Sequence, residues 1–128
     1  MGQKSVGQPS IPERAFEFGV RIIRLCQFMD KQPGTSRTLS SQLLRCGTSM
    51  GANVEEGQAA QIAAGFVSKY SIALKEARES WYRLRLLEAA GVVKKSRLAG
   101  LIDEAYQLRA ILAQALVTAQ RNRKQNKD

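Results

Sequence analysis

The sequence predicts an all-α fold, an antiparallel four-helix bundle running up-down-up-down, and three observations carry that reading. Apolar residues recur at a spacing of three and four over four long stretches. Short segments rich in Gly, Pro or small polar residues separate those stretches. Ala, Leu, Glu and Arg are common, and no alternating β-branched run intervenes. Consecutive amphipathic helices joined by a few residues pack as antiparallel neighbours. A chain of 128 residues with 44% hydrophobic content has enough material for one domain with a real core. The expected bounds are a disordered N-terminus at 1–10, a four-helix bundle domain at 11–120 and a basic C-terminal tail at 121–128.

The first helix opens at Ser10-Ile11-Pro12-Glu13, which has the spacing of a capping box with Pro in the first turn. It is expected to run to about Lys31. Its main inward face reads as Phe16, Val20, Ile23 and Phe28, with Ala15, Gly19, Ile22 and Cys26 alongside. Arg14, Glu17, Arg21 and Arg24 fall on the wet side, and Pro33-Gly34 stops the helix. Thr35 or Ser36 then caps a second helix to about Glu56, with Leu39, Leu43, Cys46, Met50 and Val54 on its apolar face. Gly57 is placed as a left-handed C′ residue. Gly47 and Gly51 lie just beyond the apolar face. Each costs about 1 kcal/mol in a helix interior, so both need a close packing partner.

The third helix is expected at about 63–90, with Phe66, Tyr70, Ala73, Ala77, Trp81 and Leu84 inward and a polar line at Glu76, Glu79 and Arg83. Gly91 is its C′ stop. Ser96 can cap a fourth helix whose seam is Leu98, Leu101, Ile102, Ala105, Leu108, Leu112, Leu116 and Ala119. That helix is expected to give way to the basic tail.

Net charge is +9 and unevenly spread. Residues 91–128 hold eight basic side chains against three acidic ones, whereas 36–57 are balanced. An excess of this size points to a polyanionic partner, usually nucleic acid. The candidate nucleic-acid-binding residues are Arg14, Arg21 and Arg24 on the first helix. The fourth helix and tail add Lys94, Lys95, Arg97, Arg109, Arg121, Arg123, Lys124 and Lys127. No aromatic-rich strand platform of the RNA-recognition type is present, so contacts to the phosphate backbone and to shape should dominate.

A second polar set lies on one arc of the second helix: Gln42, Arg45, Ser49, Asn53 and Glu56. With Glu76, Glu79 and Arg85 it reads as a hydrogen-bonded network that fixes helix register or a subunit interface. The pairing expected is Arg45 or Arg85 against Glu76, Glu79 or Glu56, with Ser49 and Asn53 satisfying the remaining lone pairs. Catalysis is disfavoured, because histidine is absent from the chain and with it the commonest general base and metal ligand. The di-metal bundles use Glu-x-x-His. Gly47-x-x-x-Gly51 lacks the Gly-Lys-Ser/Thr of a phosphate loop. Cys26 and Cys46 have no basic partner to make a thiolate and read as free buried thiols. No enzyme activity, cofactor or metal is expected. No apolar run reaches the ~18 residues of a membrane span and residues 1–9 lack a signal-peptide core, so a cytoplasmic protein without a membrane partner is expected.

The segment Gln42-x-x-Arg45-x-x-x-Ser49-Met50-Gly51-Ala52-Asn53-Val54-Glu55-Glu56-Gly57, with Tyr70–Ser80, Tyr82 and Leu84-Arg85-Leu86-Leu87, resembles the bacterial four helix bundle protein family. These are also called 23S rRNA intervening-sequence proteins or the S23 ribosomal protein family. The resemblance covers most of residues 15–118. It departs at Gly51, where many members carry proline, and at Arg83, where an aromatic is common. It implies a four-helix bundle that assembles with itself as a ring-like homopentamer, and an association with RNA. Similar bundles are accessory subunits of diversity-generating retroelements that contact reverse transcriptase, so a protein-interaction scaffold is the alternative to an RNA-binding role.

Overall fold

The computed structural model describes residues 8–126. Among them four helices and no strands are found: α1 (Ile11–Met29), α2 (Thr35–Gln58), α3 (Ala63–Ala89) and α4 (Lys95–Asn126). Each packs on its neighbours in sequence, and α1 closes the square against α4. This is the antiparallel four-helix bundle. No helix among the described residues is long and apolar enough to cross a membrane.

The helix ends follow local chemistry where that chemistry is strong. Ser10 Oγ accepts from the Glu13 backbone N–H at 3.3 Å, while the Glu13 carboxylate accepts from the Ser10 N–H at 2.9 Å, completing the capping box. At the far end of α3, Gly91 takes φ +69°, and Val92 N–H reaches back to the Leu87 carbonyl at 3.0 Å. Such a left-handed C′ residue satisfies carbonyls the helix leaves open.

Four expectations are corrected. On α1, Phe16 is 66% exposed and Ile23 is 41% exposed; Phe18, Leu25 and Met29 fill the core in their place, beside the expected Ala15, Ile22 and Cys26. The start of α2 is capped by neither Thr35 nor Ser36. Gly34, at φ +76°, occupies the N-cap, and Ser36 Oγ donates to the Met29 carbonyl at 3.0 Å across the turn. Gly57 lies inside α2, buried under Tyr70; the helix runs on to Gln58, and Ala59 is its C-cap. The basic run that was expected to dissolve is helical through Asn126, and Lys127 and Asp128 lie outside the described residues, as do residues 1–7. In addition, α4 begins at Lys95, one residue ahead of Ser96.

Gly47 has the packing reason its position demands: a Cβ there would lie 2.8 Å from Ile22 Cγ2. Gly51 faces the Ala15 backbone, where a Cβ would sit at 3.4 Å. Through these two positions α1 and α2 approach closely. Cys26 and Cys46 are both free and buried. Cys26 Sγ donates to the Ser40 carbonyl at 3.4 Å between α1 and α2, and Cys46 Sγ accepts from Ser80 Oγ at 3.4 Å between α2 and α3. Burial raises both thiols above their ordinary range, more than the serine contacts lower them.

Candidate nucleic-acid interface

Antiparallel packing sorts the basic residues by height along the bundle. Lys94 precedes α4 and Lys95 and Arg97 open it, beside the C-terminal end of α1, where Arg97 lies over the Phe28 ring at 3.8 Å. Arg121, Arg123 and Lys124 occupy the last turns of α4, at the opposite end. The 24 residues from Arg97 to Arg121 span about 36 Å of helix. None of these six side chains forms an ion pair among the described residues. Cations in the last turn of α4 also complement the helix dipole. Lys127 lies outside the described residues.

The remaining candidates divide. Arg21 and Arg24 are exposed on α1, Arg21 lying beside Gly100 of α4. Arg14 is committed elsewhere. Its Nε and Nη2 donate to the two Glu104 oxygens at 3.0 and 2.7 Å, and Nη2 also donates to Gln107 at 2.8 Å. The Glu104 hydrogen bonds raise Arg14 above its ordinary value, and all three bonds tie α1 to α4. Arg109 is half-buried, with its guanidinium 4.6 Å from the Tyr106 ring centre and 5.4 Å from that of Trp81. Its buried Nε has no hydrogen-bond partner among the described residues. The stack on two rings supplies part of what that group would otherwise gain from an acceptor. Neither Arg14 nor Arg109 therefore presents a fully free charge.

The polar set of α2 forms a ladder along the α2–α3 seam. Arg45 Nη1 sits 3.2 Å from Glu76 Oε2, and Arg45 Nη2 pairs with Glu79. Arg83 Nε donates to Glu79 at 2.7 Å, and Arg83 Nη1 donates to Gln42 at 2.7 Å. Lys69 Nζ pairs with Glu56 at 2.9 Å. Asn53 stays within its own helix, donating to the Ser49 carbonyl at 2.9 Å and to Ser49 Oγ at 3.3 Å. Arg85 is absent from the ladder: it stacks on Trp81, 4.3 Å from the ring centre, on the α4 side of α3. Arg83 takes the place considered for it. The Glu79–Arg83 spacing of four residues was the available signal for that pairing. Lys69 had no such local signal, since its partner lies on another helix.

The ladder's electrostatics are those of a register device. The Glu76 side chain is only 9% exposed and needs a cation, which the 55% exposed Arg45 supplies from the rim. Desolvation pushes the Glu79 carboxyl up, but hydrogen bonds from Arg45 and Arg83 prevail and hold it below the usual carboxylate range. The stabilisation from Glu79 is thus complete above the unfolded-state value of about 4.3, and is lost as pH falls through the lower folded-state value. Glu79→Gln is expected to reduce the loss of melting temperature between pH 6 and pH 3, as measured by circular dichroism. An unchanged acid limb would remove Glu79 from this role.

The fold and these sites define a helical bundle with cationic ends and a structural ion-pair seam. The family model for the 23S rRNA-intervening sequence protein matches residues 9–114, and the chain belongs to that family. It is also similar to a protein of unknown function from the S23 ribosomal protein family of Bacteroides thetaiotaomicron VPI-5482, whose crystal structure was determined at 1.70 Å resolution. The two share 32% identity and superimpose with a TM-score of 0.77, over 84% of this chain and 98% of the other. Among curated proteins no sequence match is found.

Proposed function

We propose that this protein is a non-catalytic, self-associating bundle of the cytoplasm that binds RNA through phosphate contacts at the two ends of α4. The observation that supports this is a pair of clusters without ion-pair partners among the described residues: Lys94, Lys95 and Arg97 at one end, Arg121, Arg123 and Lys124 at the other. Five of these six side chains are exposed, Arg123 being half-buried, and cations without carboxylate partners bind polyanions by releasing condensed counterions. The family description refers to an intervening sequence of 23S rRNA, which makes RNA the polyanion to test first. Self-association repeats the clusters around an assembly, so that weak contacts add through effective concentration.

Affinity for a single-stranded RNA should fall linearly in log K against log[salt], by about 0.7 per phosphate neutralised. Lys94→Ala/Lys95→Ala and, separately, Arg121→Ala/Lys124→Ala are each expected to flatten that slope by about 1.4. Fluorescence anisotropy across a salt series measures it. A flat plot for the natural chain would end the phosphate-contact reading. The alternative of a protein-binding scaffold is supported by a different observation, the exposed apolar side chains Phe16, Ile62 and Tyr82.

A further inference from the structure

The two cationic ends of α4 differ in what surrounds them. At the far end, Arg121, Arg123 and Lys124 line a depression with Val117 and Gln120 of the same helix, and neither an aromatic ring nor a carboxylate joins them. At the near end, Lys94, Lys95 and Arg97 share a cleft of about 730 Å³ with Phe28 of α1 and Glu88 of the last turn of α3. That volume falls within the roughly 300–1,000 Å³ of ligand sites. The frame of the cleft is anchored. Val93 is buried in the core, and the Val92 N–H holds the connection to the Leu87 carbonyl at 3.0 Å.

Two side chains in this cleft have arrangements that neither packing nor phosphate contact accounts for. Glu88 is half-buried, and its carboxylate has no partner among the described residues. It stands at the C-terminal end of α3, where the helix dipole disfavours an anion, and a carboxylate repels phosphate. Arg97 rests against the Phe28 ring, with 3.8 Å to the ring centre, yet is exposed. Its guanidinium therefore offers a planar outer face, and no carboxylate pairs with it among the described residues.

We propose that this cleft holds one unpaired guanine nucleotide of RNA. The base stacks on the outer face of Arg97, its Watson–Crick edge meets Glu88, and its phosphate lies against Lys94 and Lys95. This rests on the RNA reading above and adds base recognition at one of its two ends. The carboxylate selects the base. It is an acceptor only, with two oxygens, and guanine alone offers two adjacent N–H donors on that edge, at N1 and N2. Adenine and cytosine offer an amine beside a ring nitrogen lone pair, and uracil an N–H between two carbonyls, so each turns a lone pair toward the carboxylate. In a duplex the guanine edge is already paired, which leaves loops, bulges and single strands as the source. Stacking on an arginine plane is a usual way to hold such a base.

The test compares two short single-stranded RNAs of equal length, one all uridine and one with a single internal guanosine. Their phosphates are equal in number, so phosphate contacts contribute equally to both. By fluorescence anisotropy the natural chain should bind the guanosine RNA about tenfold more tightly, the scale of one bidentate base contact. Glu88→Gln should abolish that preference and raise affinity for the all-uridine RNA, because a negative charge beside the phosphates is gone. A variant that merely unfolded would weaken both. Equal affinities for the natural chain, a preference that survives in Glu88→Gln, or a loss for both RNAs in that variant would each overturn the proposal. In the first case, binding that still falls with salt leaves the phosphate reading standing alone. If neither RNA binds, that reading falls and calorimetry with free guanosine monophosphate decides for the cleft. Binding that exceeds uridine monophosphate and is lost in Glu88→Gln keeps the guanine site, and no binding removes it.

Discussion

Phe18→Ala is expected to lower folding stability by about 3–5 kcal/mol, while Phe16→Ala, two positions away, should change it by less than about 0.5 kcal/mol. Denaturant unfolding at low protein concentration, where self-association contributes least, measures both. Phe18 is fully buried against the core, and its removal leaves a void that neighbours fill only in part. A small domain commonly has a total stability of about 5–15 kcal/mol, so the first variant should stand close to the unfolding limit. Comparable losses at both positions would mean that α1 turns its other face inward.

Gly57→Asn should be destabilising by about 1–3 kcal/mol through overpacking, read as a fall in the thermal midpoint. This substitution separates two roles for one glycine. At a left-handed C′ position asparagine is the best tolerated replacement, since it enters that backbone region readily. Inside α2 the obstacle is space: a Cβ on Gly57 would lie 2.6 and 2.8 Å from the Tyr70 ring. That ring cannot easily withdraw. It is fully buried, stacked on Phe66 with 4.1 Å between centroids, and its hydroxyl accepts from Gln58. A tolerated Asn would restore the left-handed assignment.

These two positions show where the sequence was legible. The Ser10 capping box and the Gly91 stop depend on a few adjacent residues, and the chain forms both as expected. The inward face of α1 depends on tertiary context. The helix carries two apolar stripes, one through Phe18, Ile22, Leu25 and Met29 and the other through Phe16, Val20 and Ile23. Periodicity detects both and cannot rank them. The choice falls to the neighbours, because only the first stripe meets the Gly47 gap in α2. Gly57 misled for a related reason: a glycine near a helix end is usually a stop, and only Tyr70 on another helix reveals the need for a bare Cα.

The polar seam was partly legible. Arg45 against Glu76 and Glu79 follows from facing helical lines, and the structure brings them together. Arg83 and Arg85 are about 200° apart around α3, so choosing between them required knowing which side of α3 faces α2. The cationic residues were legible as a list but not as a distribution. Antiparallel packing divides them between two ends, and the Glu104 pairing of Arg14 links residues 90 positions apart.

The two buried thiols act as clocks. Cys26 is sealed between α1 and α2, and Cys46 between α2 and α3. Thiolate is the reactive form, and burial disfavours it at both sites, so a thiol reagent in solution must wait for the surrounding helices to part. Keeping one cysteine at a time turns the labelling rate into a record of how often that seam opens. The bundle thus carries two natural probes of its breathing, one on each side of α2, and they can resolve whether its helices separate together or one after another.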